Sequence, residues 1–361
     1  MTPDGEPDLP GDLPGDFPGE LDAAIGAARE AFAFAAAGTR GATATTRLVA
    51  GEPVRFRVAG DALGAHLLPA LAHLPETHAP PVFTASAWDT ASTGAPVPRL
   101  ADAPTGPAPS RSIVAGSRAV SSSPARDMFE GYDEAAAEGW FAIGRADELT
   151  TGERGAPFRL ALHWWCTARG MQFAHGGAVG LGGTAVLVVG PTGAGKSSTT
   201  LVCVEDGFDY VADDYCVIEA GALPVAHSLY SSAKIFVADE ARYPKLASGR
   251  TARHNDADDK TLVLVHRALP AQVVTRQRVG AIVVPVRTQE STTTFARVSA
   301  GTGLQALAPS TVAQFPGGAA TALSSLAALA RAVPSYELRL GTDRATVAPA
   351  VRAVLADLER P

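Results

Sequence analysis

Lysine is scarce in this chain. Of its 361 residues 30 are basic, yet only Lys196, Lys234, Lys245 and Lys260 are lysines. Arginine has replaced it almost everywhere, so a lysine that persists is a lead to a position needing a compact, flexible point charge, which arginine's planar fork cannot imitate. Cysteine is nearly as rare. Cys166, Cys203 and Cys216 sit in apolar stretches with no paired ligand spacing, which argues against a disulfide framework or a cysteine metal centre and for small buried hydrophobes in a reducing compartment. Positive charge is not in excess either. With a formal net charge of −7, wholesale binding to nucleic acid or to an anionic membrane is excluded, and any anion must be held by a local site. The longest apolar runs, at 184–189 and 281–286, fall far short of the ~20 residues that span a bilayer. The N-terminus is acidic and rich in Pro and Gly, the reverse of a signal peptide's basic-then-apolar order. The expectation is a cytoplasmic protein that enters no membrane.

Hydrophobic residues make up 46% of the chain and charged residues 19%, enough for a sizeable core in one large domain or two ordinary ones. Residues 1–19 repeat Pro, Gly and Asp with too few apolar side chains to offset ordering, and read as a disordered tail. Residues 20–160 read as an N-terminal α/β region. It opens with a helix over 20–37 whose apolar face is Leu21, Ile25, Ala28, Phe32 and Phe34, capped by Gly38. Strands are expected at 47–49, 54–58 and 82–87. Residues 103–126, rich in Pro, Ser, Ala and Gly, read as a loop with a short strand at 112–114. From 161 to 361 strand and helix alternate: a helix over 158–169, strand 184–189, helix 196–205, short strands at 210–211 and 216–218, strands 262–265 and 281–286, then helices 318–332 and 345–358 with strand 336–340 between them. The class is α/β.

One motif dominates. Gly190-Pro191-Thr192-Gly193-Ala194-Gly195-Lys196-Ser197 fits G-x-x-x-x-G-K-[ST], with an apolar strand before it and a helix after it. The glycines let the backbone fold into a nest of inward N–H groups, and the helix N-terminus adds its partial positive charge at the same point. Lys196 reaches β- and γ-phosphates, and the Ser197 hydroxyl suits Mg²⁺; Ser198 continues the cradle. A second signal is the pair Asp213-Asp214. A helix ending near Asp206 and turning at Gly207 would return the chain as a strand beside 184–189, with the two carboxylates next to the phosphate loop. There one acid can hold a divalent cation and the other take a proton from an attacking hydroxyl. A third is His175, at the end of a short apolar segment just before the loop strand.

These residues resemble a known family. His175-Gly176, the run 185–198 and Asp206-Gly207-Phe208-Asp209-Tyr210-Val211-Ala212-Asp213-Asp214 are similar to the catalytic domain of HPr kinase/phosphorylase. They are more similar still to the HPr-kinase-like serine kinases of bacterial peptide-modification gene clusters. The resemblance covers 173–218, and the residues up to 160 match only in outline. It implies a P-loop kinase domain of the HPr kinase and phosphoenolpyruvate carboxykinase type over 161–361; the smaller region before it, 20–160, is a candidate to select the acceptor or to contact a partner, and its role is left open. It implies ATP and Mg²⁺ as cofactors, Lys196 and Ser197 as phosphate and metal ligands, Asp213 and Asp214 as the acids serving metal and general base, and His175 as their support. The R-G-x-G signature of HPr kinase/phosphorylase is absent, so neither HPr as acceptor nor the reverse reaction is implied. Where peptide-cluster relatives carry an arginine, in the segment 228–234, this chain has serine; Lys234 is a candidate to replace its charge and Lys260 to close over the phosphates, whereas Lys245 reads as surface.

The expected function is transfer of the γ-phosphoryl group of ATP to a hydroxyl, a serine of a peptide or protein. The alternatives are a metabolite kinase with the same site and a regulatory module that holds ATP without transfer. Which aspartate is base and which is metal ligand, and whether the chain forms a homo-oligomer, are left open at this stage.

Overall fold

The computed structural model describes residues 17–38, 41–100, 110–252 and 259–359. Most of the tail expected to be disordered, and the start of the 103–126 loop, lie outside these residues. The first helix begins at Phe17 and ends at Gly38, so residues 17–19 belong to it and not to the tail. It buries Leu21, Ile25, Ala28 and Phe32, but Phe34 is 59% exposed. The helix packs on a seven-stranded sheet of β1 (Thr43–Val49), β2 (Glu52–Ala59), β3 (Phe83–Asp89), β4 (Arg111–Ala115), β5 (Arg118–Ser123), β6 (Met128–Asp133) and β7 (Glu138–Ile143), ordered β1-β2-β3-β7-β6-β5-β4. The expected 103–126 loop is therefore largely a hairpin, with Ile113 opposite Val120. Its small, polar composition concealed two strands: β4 buries only Ile113, and two of the four buried residues of β5 are serines.

The second sheet carries β8 (Met171–His175), β9 (Gly177–Leu181), β10 (Thr184–Val188), β11 (Asp209–Ala212), β12 (Tyr215–Glu219) and β13 (Val225–Ser228). Strands β14 (Ser232–Phe236) and β15 (Lys260–Leu264) form a separate pair, and β16 (Arg276–Arg287), β17 (Thr294–Val298) and β18 (Ser335–Leu340) complete the main sheet. Its order is β11-β9-β10-β16-β13-β12-β8, with β18 also on β16 and β17 on β18. Only β10–β16 and β16–β18 are parallel here, so the fold is mixed α/β rather than the simple alternation suggested by sequence.

This strand order brings two bends of the chain together. Segment 171–181 supplies β8 at one end of the sheet and β9 near the other, bent at Gly176; segment 209–219 does the same with β11 and β12, bent at Asp213-Asp214. β11 pairs with β9 and β12 with β8, so the two bends lie side by side and the sheet curls back on itself. The Gly176 N–H donates to the Asp214 carbonyl at 3.0 Å. The strand 209–212 thus lies beside β9 and not beside β10, which corrects the sequence expectation: β9 intervenes, and it is at Ser197 of the phosphate loop that Asp213 arrives.

The helix Arg159–Ala168 buries Leu162, Trp165 and Cys166 in a core that also contains Phe56 and Phe83 of the first sheet and Phe173 and Val217 of the second. All three cysteines are free and buried. Among the described residues no helix is long and apolar enough to cross a membrane.

Candidate active site

β10 runs parallel to β16, so the chain leaves it at the carboxyl end of two parallel strands, where loops leave room for ligands. The turn that follows needs glycine. Gly193 and Gly195 have φ of +83° and +108°, a region L side chains rarely adopt, and a Cβ on Gly195 would come within 2.7 Å of Leu340. The helix Lys196–Glu205 then starts with no side-chain cap, leaving the first-turn N–H groups for an anion. Lys196 is buried, and its Nζ donates to the carbonyls of Gly190 at 2.9 Å and Pro191 at 3.2 Å. Burial lowers its pKa while Asp214 and Asp213 oppose the shift.

Thr192, Gly193, Gly195, Lys196, Ser197 and Ser198 form one wall of a cavity of about 370 Å³. Across it stand Lys234, Lys260 and Arg287, with His175, Asp214, Asp239 and Tyr243. Three of the chain's four lysines therefore face one cavity in a protein whose net charge is −7. Lys260 also lies over the Phe236 ring, 4.7 Å from its centroid. Lys245 donates to the Glu205 carbonyl away from this cavity.

The two adjacent acids have opposite surroundings. The Asp214 carboxylate lines the cavity, 2.6 Å from Lys234 Nζ through Oδ2 and 4.0 Å from His175 Nε2 through Oδ1. Burial pushes its carboxyl up, but Lys234 and then His175 and Lys196 outweigh that and hold it below the usual value. Asp213 is 2% exposed and does not line the cavity. Neither of its oxygens has a full hydrogen bond. Burial and then Asp214 raise it to about 7, although the Ser197 hydroxyl and the Lys234 cation and backbone draw it part of the way down. The pair is thus not two acids facing the cavity together; one faces it and the other stands behind, next to Ser197.

His175 is largely buried, and burial followed by Lys196 lowers its pKa to about 4 against the pull of Asp214. Its ring is neutral near neutral pH. Its backbone N–H donates to Thr311 Oγ1 at 3.1 Å, and its Nδ1 faces Gln314 Nε2 at 2.8 Å.

Loop residues 190–198, His175, Asp214, Lys234 and Lys260 come together; Lys245 does not. Sequence reasoning missed Arg287 and Gln314. Arg287 ends β16, and a cation at the carboxyl end of a strand parallel to the loop strand was a usable signal. Gln314 follows the helix Ala300–Val312, an element the sequence reading left out, and nothing in its surroundings marks it.

No family model matches the chain, and no curated protein matches it. Among solved structures, the HPr(Ser) kinase/phosphatase from Coxiella burnetii aligns with 52% of this chain and 99% of its own at 13% identity. Its TM-score is 0.29. That likeness is too low to carry an argument, so the reading of function rests on the site itself.

Proposed function

We propose that the protein transfers the γ-phosphoryl group of ATP to a hydroxyl, the serine of a peptide or protein, as in the HPr-kinase-like serine kinases that residues 173–218 resemble. The observation that carries this reading is the cavity itself: a glycine-built phosphate loop carrying Lys196 faces two further lysines and an arginine, with the Asp214 carboxylate held ionised among them. Four cations against an uncapped helix N-terminus suit a polyphosphate. A carboxylate held ionised between Lys234 and His175 suits an acceptor hydroxyl, and phosphoryl transfer asks the protein mainly for such positioning and charge neutralisation.

The residues also fit Mg²⁺. Asp213 is a buried carboxylate without full hydrogen bonds beside the Ser197 hydroxyl, and these are the two residues that would hold the cation. The metal would supply neutralisation of charge on the β- and γ-phosphates. The loop amides and Lys196 hold the phosphates, and Lys234, Lys260 and Arg287 balance their charge. Asp214, oriented by Lys234 and His175, receives the acceptor's O–H. The acceptor oxygen bonds to the γ-phosphorus, the bond to the β,γ-bridging oxygen breaks, ADP departs, and the proton goes to the Asp214 carboxylate.

The test is incubation with Mg·ATP labelled at the γ-phosphate and a degenerate serine-containing peptide library, with a metabolite extract in parallel. Label in peptide is the expected outcome. Lys196→Ala should abolish transfer, and Asp214→Asn should lower kcat by about 10²- to 10⁴-fold, the range for a lost proton acceptor, with the fold intact by circular dichroism. Label appearing only in metabolites would move the reading to a small-molecule kinase. Tight Mg·ATP binding with no labelled product from any acceptor would replace it by a nucleotide-holding module.

A further inference from the structure

The hydrogen bonds leading to His175 define one proton arrangement. Arg159, at the start of the helix Arg159–Ala168, can only donate, and its Nη1 lies 3.0 Å from the Tyr215 phenol oxygen. That oxygen in turn donates its hydrogen to Gln314 Oε1 at 2.5 Å. The Gln314 amide is thereby oriented with its oxygen toward Tyr215 and its nitrogen toward His175 Nδ1, at 2.8 Å. A carboxamide nitrogen donates, so Nδ1 must accept. The single hydrogen of the neutral ring then sits on Nε2, the nitrogen 4.0 Å from Asp214 Oδ1. The opposite amide orientation would set two donors against the phenol oxygen and deprive its hydrogen of the Gln314 acceptor.

The same residues are held together by packing. Tyr215 is the register partner of His175 across β12 and β8, their rings are 5.4 Å apart, and the Arg159 guanidinium lies over the Tyr215 ring at 5.5 Å. We propose that Arg159, Tyr215 and Gln314 are positioning residues that hold His175 in its Nε2–H tautomer and so present a donor, not a lone pair, to Asp214. At 4.0 Å this is an electrostatic contact rather than a hydrogen bond, but its sign matters. An N–H there attracts Oδ1 while Lys234 holds Oδ2, and the carboxylate is fixed from both sides. The other tautomer would aim a lone pair at an anion and turn it away from the acceptor hydroxyl.

The tautomer is a property of the protein alone. Its effect on catalysis rests on the kinase reading above, and the two are measured separately. ¹⁵N NMR of the histidine rings, with His175 assigned by the signal lost in His175→Gln, should show Nε2 protonated and Nδ1 bare. Gln314→Glu replaces the donor by a carboxylate, and Nδ1 should become protonated. Tyr215→Phe releases the amide, and both tautomers should appear; this variant serves if Gln314→Glu does not fold. A wild-type ring protonated on Nδ1, or an unchanged Nε2–H signal in both variants, overturns the proposal whether or not the protein phosphorylates anything. Where transfer is observed, Gln314→Glu should lower kcat on the order of 10- to 100-fold, as loss of an orienting partner does, with KM for ATP nearly unchanged. An unchanged kcat alongside an altered tautomer overturns the positioning role and leaves the kinase reading standing.

Discussion

Asp213 and Asp214 are neighbours in sequence, yet one is held ionised and the other is pushed to about 7. The difference lies in what each side chain meets. Asp214 turns to the cavity and to Lys234 at 2.6 Å; Asp213 turns inward and finds no full hydrogen bond. Two titratable groups whose surroundings separate them in this way are suited to separate tasks. Lys234 is the residue on which the division depends. Lys234→Met should lower kcat/KM for peptide phosphorylation by about 10²-fold through loss of both an orienting contact and a charge, a range typical of one electrostatic donor. Lys234→Arg should recover only part of it, because a planar fork does not replace a point charge. Steady-state rates for the two variants check this, and equal rates for Met and wild type would contradict it.

Among the elements, the crease between β8 and β9 matters most. Residues 176 and 177 bring that strand pair against both the loop strand and the helix Lys196–Glu205. A Cβ on Gly177 would run into Thr200 Oγ1 of that helix and come within 3.3 Å of the Asp213 carbonyl. Gly177→Ala should therefore destabilise the protein by about 1–3 kcal/mol, the usual cost of overfilling a packed contact, and weaken Mg·ATP binding by displacing the helix. Combining it with Thr200→Ala removes the hydroxyl that causes the clash and should recover part of the loss. Denaturant midpoints and calorimetric titration of the single and double variants measure both effects. The boundaries of Lys196–Glu205 were legible because the loop motif states where the helix starts and Gly207 where the chain turns. The strands around the crease were not: β8, β9, β11 and β12 span only four or five residues each, and short apolar runs buried on both faces show no period.

On the scale of the whole molecule, the two sheets share a core, and a buried acid lies against it. Glu130 on β6 is 5% exposed and accepts the Leu160 N–H at 3.0 Å. Burial raises its pKa from 4.5 to about 7, with Arg159 the main opposing influence. The folded state thus keeps a proton that the unfolded chain releases above about 4.5, so stability falls as pH rises through the window up to 7 and levels off beyond it. The span corresponds to about 3 kcal/mol at most. Glu130→Gln should be more stable than wild type above pH 7 and gain nothing below pH 4.5, as read from urea midpoints across that range. A wild-type stability that does not fall over this interval would contradict the assignment.

The local chemistry of the site was determined by the order of residues alone. The glycines at 190, 193 and 195, the lysine and serine after them, and the rarity of lysine elsewhere state where a phosphate loop sits and which cations to examine, because a strand-to-helix turn is settled within ten residues. What only the tertiary structure decided is everything that depends on partners far along the chain. Lys260 and Arg287 reach the cavity because β15 begins and β16 ends there. Asp214 rather than Asp213 faces it because two bent segments cross at one crease. Gln314 meets His175 although 139 residues separate them. Such contacts are set by how a curled sheet closes, and no local pattern in the chain encodes that closure.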